Sequence, residues 1–246
     1  MKIKIAAVIP ARYESTRYRG KPLAVIAGKY MIERVYRQVQ KSERFPEIIV
    51  ATDDMRIVRA VEEFGGTAIL TSGNITSGSD RVWEVIRNSD FEAAINIQGD
   101  EPLISEKLIA EMYDLLTTAE QEVISAVYYN SSYVDFNSRN IVKVVLDNHF
   151  RSLYFSRSPI PFTPGDEFKG FYQHIGIYGY LKGTLEKFVN LPCSQLESQE
   201  KLEQLRFLSN GIPIKMITSN TQSVGVDVPE DIKKIETILN DENEKN

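Results

Sequence analysis

The sequence predicts an α/β fold built on a mostly parallel sheet, with a β-rich excursion at about 123–182. Three observations carry this reading. Short, continuous apolar runs alternate with helically spaced segments through the first half, as expected for buried parallel strands joined by crossover helices. After residue 122 the texture changes to strand-like pieces separated by Asn-, Ser-, Pro- and Gly-containing loops. At 246 residues, 42% hydrophobic and 26% charged, the chain can bury one substantial core and has none of the bias of disordered or fibrous chains. It reads as a single domain over 1–246.

Residues 3–9 form an apolar run closed by Pro10, a first buried strand. Residues 31–40 carry apolar side chains at helical spacing. Residues 47–52 (EIIVAT) read as a second strand, and 55–64 (MRIVRAVEEF) as an amphipathic helix closed by Gly65 and Gly66. A short strand at 67–70, a helix near 81–87, a strand at 93–98 (AAINIQ) and a helix at 105–119 continue the alternation, with Ser105 and Leu108 spaced for a capped start. Right-handed crossovers would put these helices on both faces of the sheet. VISAVYYN, VKVVLD, LYFSR and HIGIYGY supply the strands of the excursion. A helix returns at 198–208, followed by the strand IKMIT, a loop around VGVDVPED, a last helix at 231–239 with Pro229 near its first turn, and a frayed polar tail, NDENEKN.

A formal charge of −5 disfavours nucleic acid and anionic membrane as partners, so a polyanionic ligand needs a local cluster of cations. The single cysteine, Cys193, excludes an intrachain disulfide and a multi-cysteine zinc site. The first apolar run is too short for a membrane span or a secretory signal, and a cytoplasmic protein is expected.

Ligands of open α/β sheets bind beyond the carboxyl ends of the strands, and there the loops are chemically loaded. PARYESTRYRGKP packs Arg12, Arg17, Arg19 and Lys21 among Ser15, Thr16 and Gly20, a loop able to surround a triphosphate with cations and backbone N–H groups. It is not a Walker A loop: Pro22 follows Gly20-Lys21 where Ser or Thr is required, and Ser15 stands where the leading Gly belongs. No GxGxxG is present either. QGDEP follows AAINIQ and puts Asp100 at the end of a buried strand, a place suited to ligating Mg²⁺. Asp227 of GVDVPED occupies a similar setting, where helix-start chemistry explains it equally well. TSGNITSGSDR, with Ser77, Gly78 and Arg81, suits a base and ribose, and also a helix start capped by Ser79 or Asp80.

Taken in order, PARYESTRYRGKP, SGSDR, INIQGDEP, VKVVLD, LYFSRSPIPF, HIGIYGY, LEQLR and GVDVPEDI resemble the CMP-Kdo synthetase family over nearly the whole chain. PAR and GKP are shared by wider sugar nucleotidyltransferases; QGDEP together with FSR, HIGIYGY and LEQLR is close to family-specific. The resemblance implies a Rossmann-like sheet of the nucleotide-diphospho-sugar transferase type, whose β-rich excursion supports a homodimer. It implies transfer of CMP from CTP to the anomeric hydroxyl of 3-deoxy-manno-octulosonate, with release of pyrophosphate, for lipopolysaccharide synthesis.

Carried over by motif, Arg12 and Lys21 would bind the triphosphate beside Pro10 and Ala11, and Ser77, Gly78, Arg81 and Gln98 would surround the nucleoside. Asp100 and Asp227 would hold Mg²⁺, and Lys21, Arg12 and Asp100 would carry the catalysis. Arg157, His174, Tyr178, Glu203 and Gln204 would meet the sugar acid. None of these sugar roles follows from spacing alone: His174 also fits a hydrogen-bonded core histidine, Tyr178 simple packing, and Glu203 with Gln204 the wet side of a helix. Two positions depart from the family, Arg19 where Pro is usual and Ser79 where Thr is usual. Rival readings are a cytidylyltransferase for a related acid, such as an 8-amino relative or a sialic-like acid, and a catalytically silent nucleotide-binding regulator.

Overall fold

The structure, a computed structural model, describes residues 3–14, 18–75, 77–164 and 167–243. Strand β1 (Ile5–Ala11) leads through a 3-10 turn (Lys21–Leu23) and a small hairpin of β2 (Val25–Ile26) and β3 (Lys29–Tyr30) into α1 (Met31–Lys41). Then come β4 (Ile48–Thr52), α2 (Met55–Glu63), β5 (Thr67–Leu70), α3 (Gly78–Ile86), β6 (Ala93–Asn96) and α4 (Glu106–Leu116). The β-rich stretch holds β7 (Val123–Asn130), α5 (Tyr133–Asn137), β8 (Lys143–Leu146), β9 (Ser152–Ser156) and β10 (Phe171–Leu181). The chain closes with α6 (Lys182–Asn190), α7 (Gln195–Glu200), α8 (Leu205–Ser209), β11 (Lys215–Ser219) and α9 (Asp231–Asn243).

The main sheet runs β11-β7-β10-β6-β1-β4-β5. β1 pairs in parallel with both β4 and β6, and β5 pairs in parallel with β4. β10 is antiparallel to both of its neighbours, β6 and β7, and β11 runs parallel to β7. The expected mostly parallel α/β sheet is therefore present, with one reversed strand. β8 and β9 branch from the lower part of β10. The chain moves from β1 to β4 on one side and later places β6 on the other. That reversal opens a crevice beyond the carboxyl ends of β1 and β6, where doubly wound folds bind ligands.

Both faces of the sheet are covered, as the unbroken apolar strands require. Ile5 through Ile9 of β1 are fully buried. Ile5, Ala7 and Ile9 face the layer of α1, α2 and α4, while Ala6 and Val8 face α3, α6 and α8. Burial of each large aliphatic side chain here contributes roughly 1.5–3 kcal/mol. The helix starts are capped: Asp54 accepts from Arg56 N–H, Ser77 from Asp80 N–H, and Ser105 from Leu108 N–H, the last pair as the sequence indicates. Gly65, at φ 78, closes α2 in the left-handed region.

Several local expectations fail. The cap of α3 is Ser77, not Ser79 or Asp80; Ser79 is turned inward and fully buried. The helix expected at 198–208 is two short ones, α7 and α8, broken at Lys201 with φ 56. Tertiary bonds outweigh propensity there. Glu197 closes a capping box with Ser194 and clamps Arg206, and Glu200 turns to accept from Ser156 Oγ and Arg157 N–H. α6, a segment the sequence reading leaves unassigned, forms because Leu185 and Phe188 are fully buried. The tail expected to fray from residue 240 continues α9 to Asn243, and its last three residues lie outside the described ones.

Candidate active site

A cavity of about 360 Å³ opens at the carboxyl ends of β1 and β6. Pro10, Ala11, Arg12, Lys21, Ser77, Gly78, Arg81, Gln98 and Asp100 all line it. β1 delivers Pro10 and Ala11 with Arg12 directly after it, the 3-10 turn delivers Lys21, the start of α3 brings Ser77, Gly78 and Arg81, and the loop after β6 brings Gln98 and Asp100. The loops touch closely at Gly99, where a Cβ would stand 2.7 Å from the Pro10 carbonyl oxygen. Gly99→Ala is expected to shift backbone, not merely a rotamer. The predicted outcome is a loss of about 1–3 kcal/mol in denaturant unfolding, with a raised KM for the nucleotide.

The cations divide into distinct roles. Arg12 is exposed at the cavity rim. Arg19 turns away, pairing with Glu14 at 2.8 Å, so it does not join the cluster expected from the sequence; Ser15, Thr16 and Arg17 lie outside the described residues. Arg81 is 1% exposed, and its guanidinium donates to Thr71 Oγ1, to Asp53 Oδ2 at 3.1 Å and to the Ile75 carbonyl at 3.3 Å. Burial pulls its pKa down and the Asp53 charge opposes that. Arg81 is thus a wall of the cavity held by internal partners.

Lys21 is the joint of the site. Its ammonium donates to Asp100 Oδ2 at 2.6 Å and to the Val226 carbonyl at 2.9 Å. Val226 N–H in turn donates to the Asp100 carbonyl at 2.9 Å. The loops carrying Asp100 and Asp227 are therefore adjacent, and Asp231 fixes the second by accepting from the N–H groups of Asp227 and Val228. Both aspartates line a second cavity of about 800 Å³, and Asp100 lines the two cavities together. Two carboxylates on neighbouring strand-end loops, one holding a cation already, are hard-oxygen donors of the kind Mg²⁺ takes. Among the described residues no group of three or more His, Cys, Asp or Glu could hold a metal.

The proposed sugar residues fall into three settings. His174 lines the larger cavity, and its Nε2 lies 3.0 Å from Ser125 Oγ. Desolvation pulls its pKa down to about 3, so the ring is neutral near pH 7. Its ring centroid is 5.4 Å from that of Tyr178, which stacks on Tyr180 at 5.9 Å. Tyr180 continues into a polar chain: its hydroxyl is 3.0 Å from Ser79 Oγ, which donates to Glu203 Oε1 at 2.7 Å. Burial raises the pKa of Tyr178, Tyr180 and Glu203. Gln204 is buried just ahead of α8, so it is not on the wet side of a helix. Arg157 stands apart, donating from Nε to the Glu200 carbonyl at 3.0 Å and from Nη1 to the Arg139 carbonyl at 3.1 Å.

The profile of the cytidylyltransferase family matches residues 6–221. The chain belongs to the cytidylyltransferase family. Within it, the 3-deoxy-manno-octulosonate cytidylyltransferase of Thermodesulfovibrio yellowstonii is 45% identical over 95% of this chain and 97% of its own. That of Desulfosudis oleivorans is 44% identical over 96% and 98%. Among solved structures, a CMP:2-keto-3-deoxy-manno-octonic acid synthetase complexed with CTP superposes with a TM-score of 0.92 at 37% identity, covering 97% of this chain and 99% of that one. The 4-diphosphocytidyl-2C-methyl-D-erythritol synthase of Anaerococcus prevotii, at TM-score 0.64 and 18% identity over 97% and 99%, shares the fold.

Two features of this cytidylyltransferase site escape sequence reasoning. Tyr180 and Ser79 link Glu203 to the start of α3. Glu101, beside Asp100, accepts a short hydrogen bond from Ser223 Oγ. Burial raises the Glu101 carboxyl to about 7; the Ser223 bond opposes that shift, and the Asp100 charge adds to it. The only local signal for Glu101 is its place in QGDEP, and nothing in the sequence connects it to Ser223.

Proposed function

We propose that this chain transfers CMP from CTP to the anomeric hydroxyl of 3-deoxy-manno-octulosonate, releasing pyrophosphate, with Mg²⁺ as its cofactor. The observation that carries the reading is the junction of Lys21, Asp100 and the Asp227 loop at the switch point of the sheet, between two cavities that share Asp100. The names of relatives 45% and 44% identical over nearly the whole chain supply the sugar acid.

In this reading the triphosphate lies against Arg12 and Lys21, with the nucleoside against Ser77, Gly78, Arg81 and Gln98. Asp100 and Asp227 would hold Mg²⁺, which when bound would supply charge neutralisation at the phosphates. The anomeric hydroxyl attacks the α-phosphorus in line and gives up its proton to solvent, the bond to the bridging oxygen breaks, and pyrophosphate leaves with the electron pair. Lys21 and Arg12 offset the charge that develops on the phosphates. His174, being neutral, serves as a hydrogen-bonding group and not as a cation. Positioning and electrostatics carry the rate.

A pyrophosphate-release screen crossing CTP, UTP, ATP and GTP with 3-deoxy-manno-octulosonate, its 8-amino relative and a sialic acid tests the assignment. CTP with the first acid is expected to be fastest by at least tenfold, and release with another acid alone would overturn the substrate. We further propose a homodimer built through the excursion, whose surface leaves Tyr133, Val134, Leu153 and Phe162 54%, 80%, 59% and 91% exposed. A dimer mass in sedimentation equilibrium is expected, and a monomer mass at micromolar concentration would contradict it. The same reading keeps the protein cytoplasmic, with its soluble substrates; no helix among the described residues is long and apolar enough to cross a membrane.

A further inference from the structure

Glu101 has no part in the transfer just described, yet its carboxyl is held across the site by a residue of the Asp227 loop. It follows Asp100 in the turn after β6, where its N–H donates to the Gln98 carbonyl at 3.3 Å. Asp100 turns to Lys21, whereas Glu101 lines only the larger cavity. Its side chain runs between two glycines: a Cβ on Gly176 of β10 would stand 3.7 Å from Glu101 Oε1, and one on Gly225 would stand 3.9 Å from its Cγ. At its end the carboxyl accepts from Ser223 Oγ.

We propose that Glu101 is a positioning residue that sets the affinity of the metal site by latching the Asp227 loop to the Asp100 loop through Ser223. The inference rests on the reading of Asp100 and Asp227 as metal ligands. No strand or helix holds the chain between Ser219 and Asp231, so its geometry depends on cross-loop bonds. Val226 N–H to the Asp100 carbonyl and Lys21 to the Val226 carbonyl fix its middle, and Asp231 fixes its far end. The Glu101–Ser223 bond fixes the near end, four residues before Asp227. Without it, the loop keeps its middle and far ties but loses the restraint that holds the segment leading into Asp227 against the Asp100 loop. Groups that orient metal ligands are typically worth ten- to hundredfold in metal affinity.

The test is Mn²⁺ binding to the CTP-saturated protein, followed by the EPR signal of free Mn²⁺, for Glu101→Ala, Ser223→Ala, the double variant and Glu101→Gln. Each Ala variant should weaken Mn²⁺ roughly tenfold or more. The double variant should be no weaker than either single one. Glu101→Gln, which keeps an acceptor for Ser223, should recover most of the affinity, and CTP affinity without divalent cation should be unchanged throughout. Wild-type Mn²⁺ affinity in Ser223→Ala, or additive losses in the double variant, would overturn the latch; Ser223→Ala keeps this decisive if Glu101→Ala fails to fold. Asp100→Asn separates the two levels. If it binds Mn²⁺ as the wild type does, the metal reading itself falls; if it loses Mn²⁺ while the latch variants do not, only the latch falls.

Discussion

Asp100→Asn is expected to lower turnover on the order of a thousandfold while leaving the fold intact. The amide keeps the shape of the carboxyl and an acceptor for Lys21, but removes the charge. The Lys21 side chain is 13% exposed and that of Asp100 34% exposed, so their ion pair is partly buried, and because the amide keeps the hydrogen bond the change should cost only about 1 kcal/mol of stability. The damage should therefore appear in kcat and in the Mg²⁺ dependence, not in the thermal midpoint. Steady-state kinetics with a Mg²⁺ titration, alongside circular dichroism melting, checks both halves. Turnover within threefold of wild type would remove Asp100 from the metal role.

Lys21→Ala tests the other side of the same contact. Its ammonium touches both aspartate-bearing loops, at 2.6 Å to Asp100 Oδ2 and 2.9 Å to the Val226 carbonyl. Its removal takes a tie from the Asp227 loop and, on the proposed reading, a positive charge from the triphosphate. We expect kcat/KM for CTP to fall by about two to three orders of magnitude, with the KM for the sugar acid changed less than threefold. If the sugar KM alone rises and nucleotide kinetics stay normal, the first loop has been assigned to the wrong substrate.

The sheet was legible because its information is local. Runs such as 3–9 and 93–98 state burial on both faces, and Ser105 with Leu108 states a cap, without reference to distant residues. The smaller cavity was legible for a related reason: strand ends converge at a switch point, so the loops after β1 and β6 had to meet near Lys21 and Asp100. Contacts between residues far apart in sequence were not readable. Ser79 with Glu203 and Tyr180 with Ser79 are set by the packing of α3, α8 and β10, and Glu101 with Ser223 by the meeting of the loops after β6 and before α9. Glu197 and Glu200, bonded to Arg206 and to Ser156 and Arg157, broke the expected helix at Lys201, and burial of Leu185 and Phe188 ordered α6. Charge spacing misled at Arg19, whose guanidinium pairs with Glu14 at 2.8 Å and does not line the cavity.

The central claim, attack of a sugar-acid hydroxyl on the α-phosphorus of a cytidine nucleotide gripped at Lys21, is tested most directly by label transfer. The wild-type protein is incubated with α-³²P-CTP, Mg²⁺ and 3-deoxy-manno-octulosonate, and the products are separated. The account predicts that the label appears in a CMP–sugar conjugate in step with unlabelled pyrophosphate. Label confined to CTP or free CMP, with the sugar acid unlabelled, would contradict it.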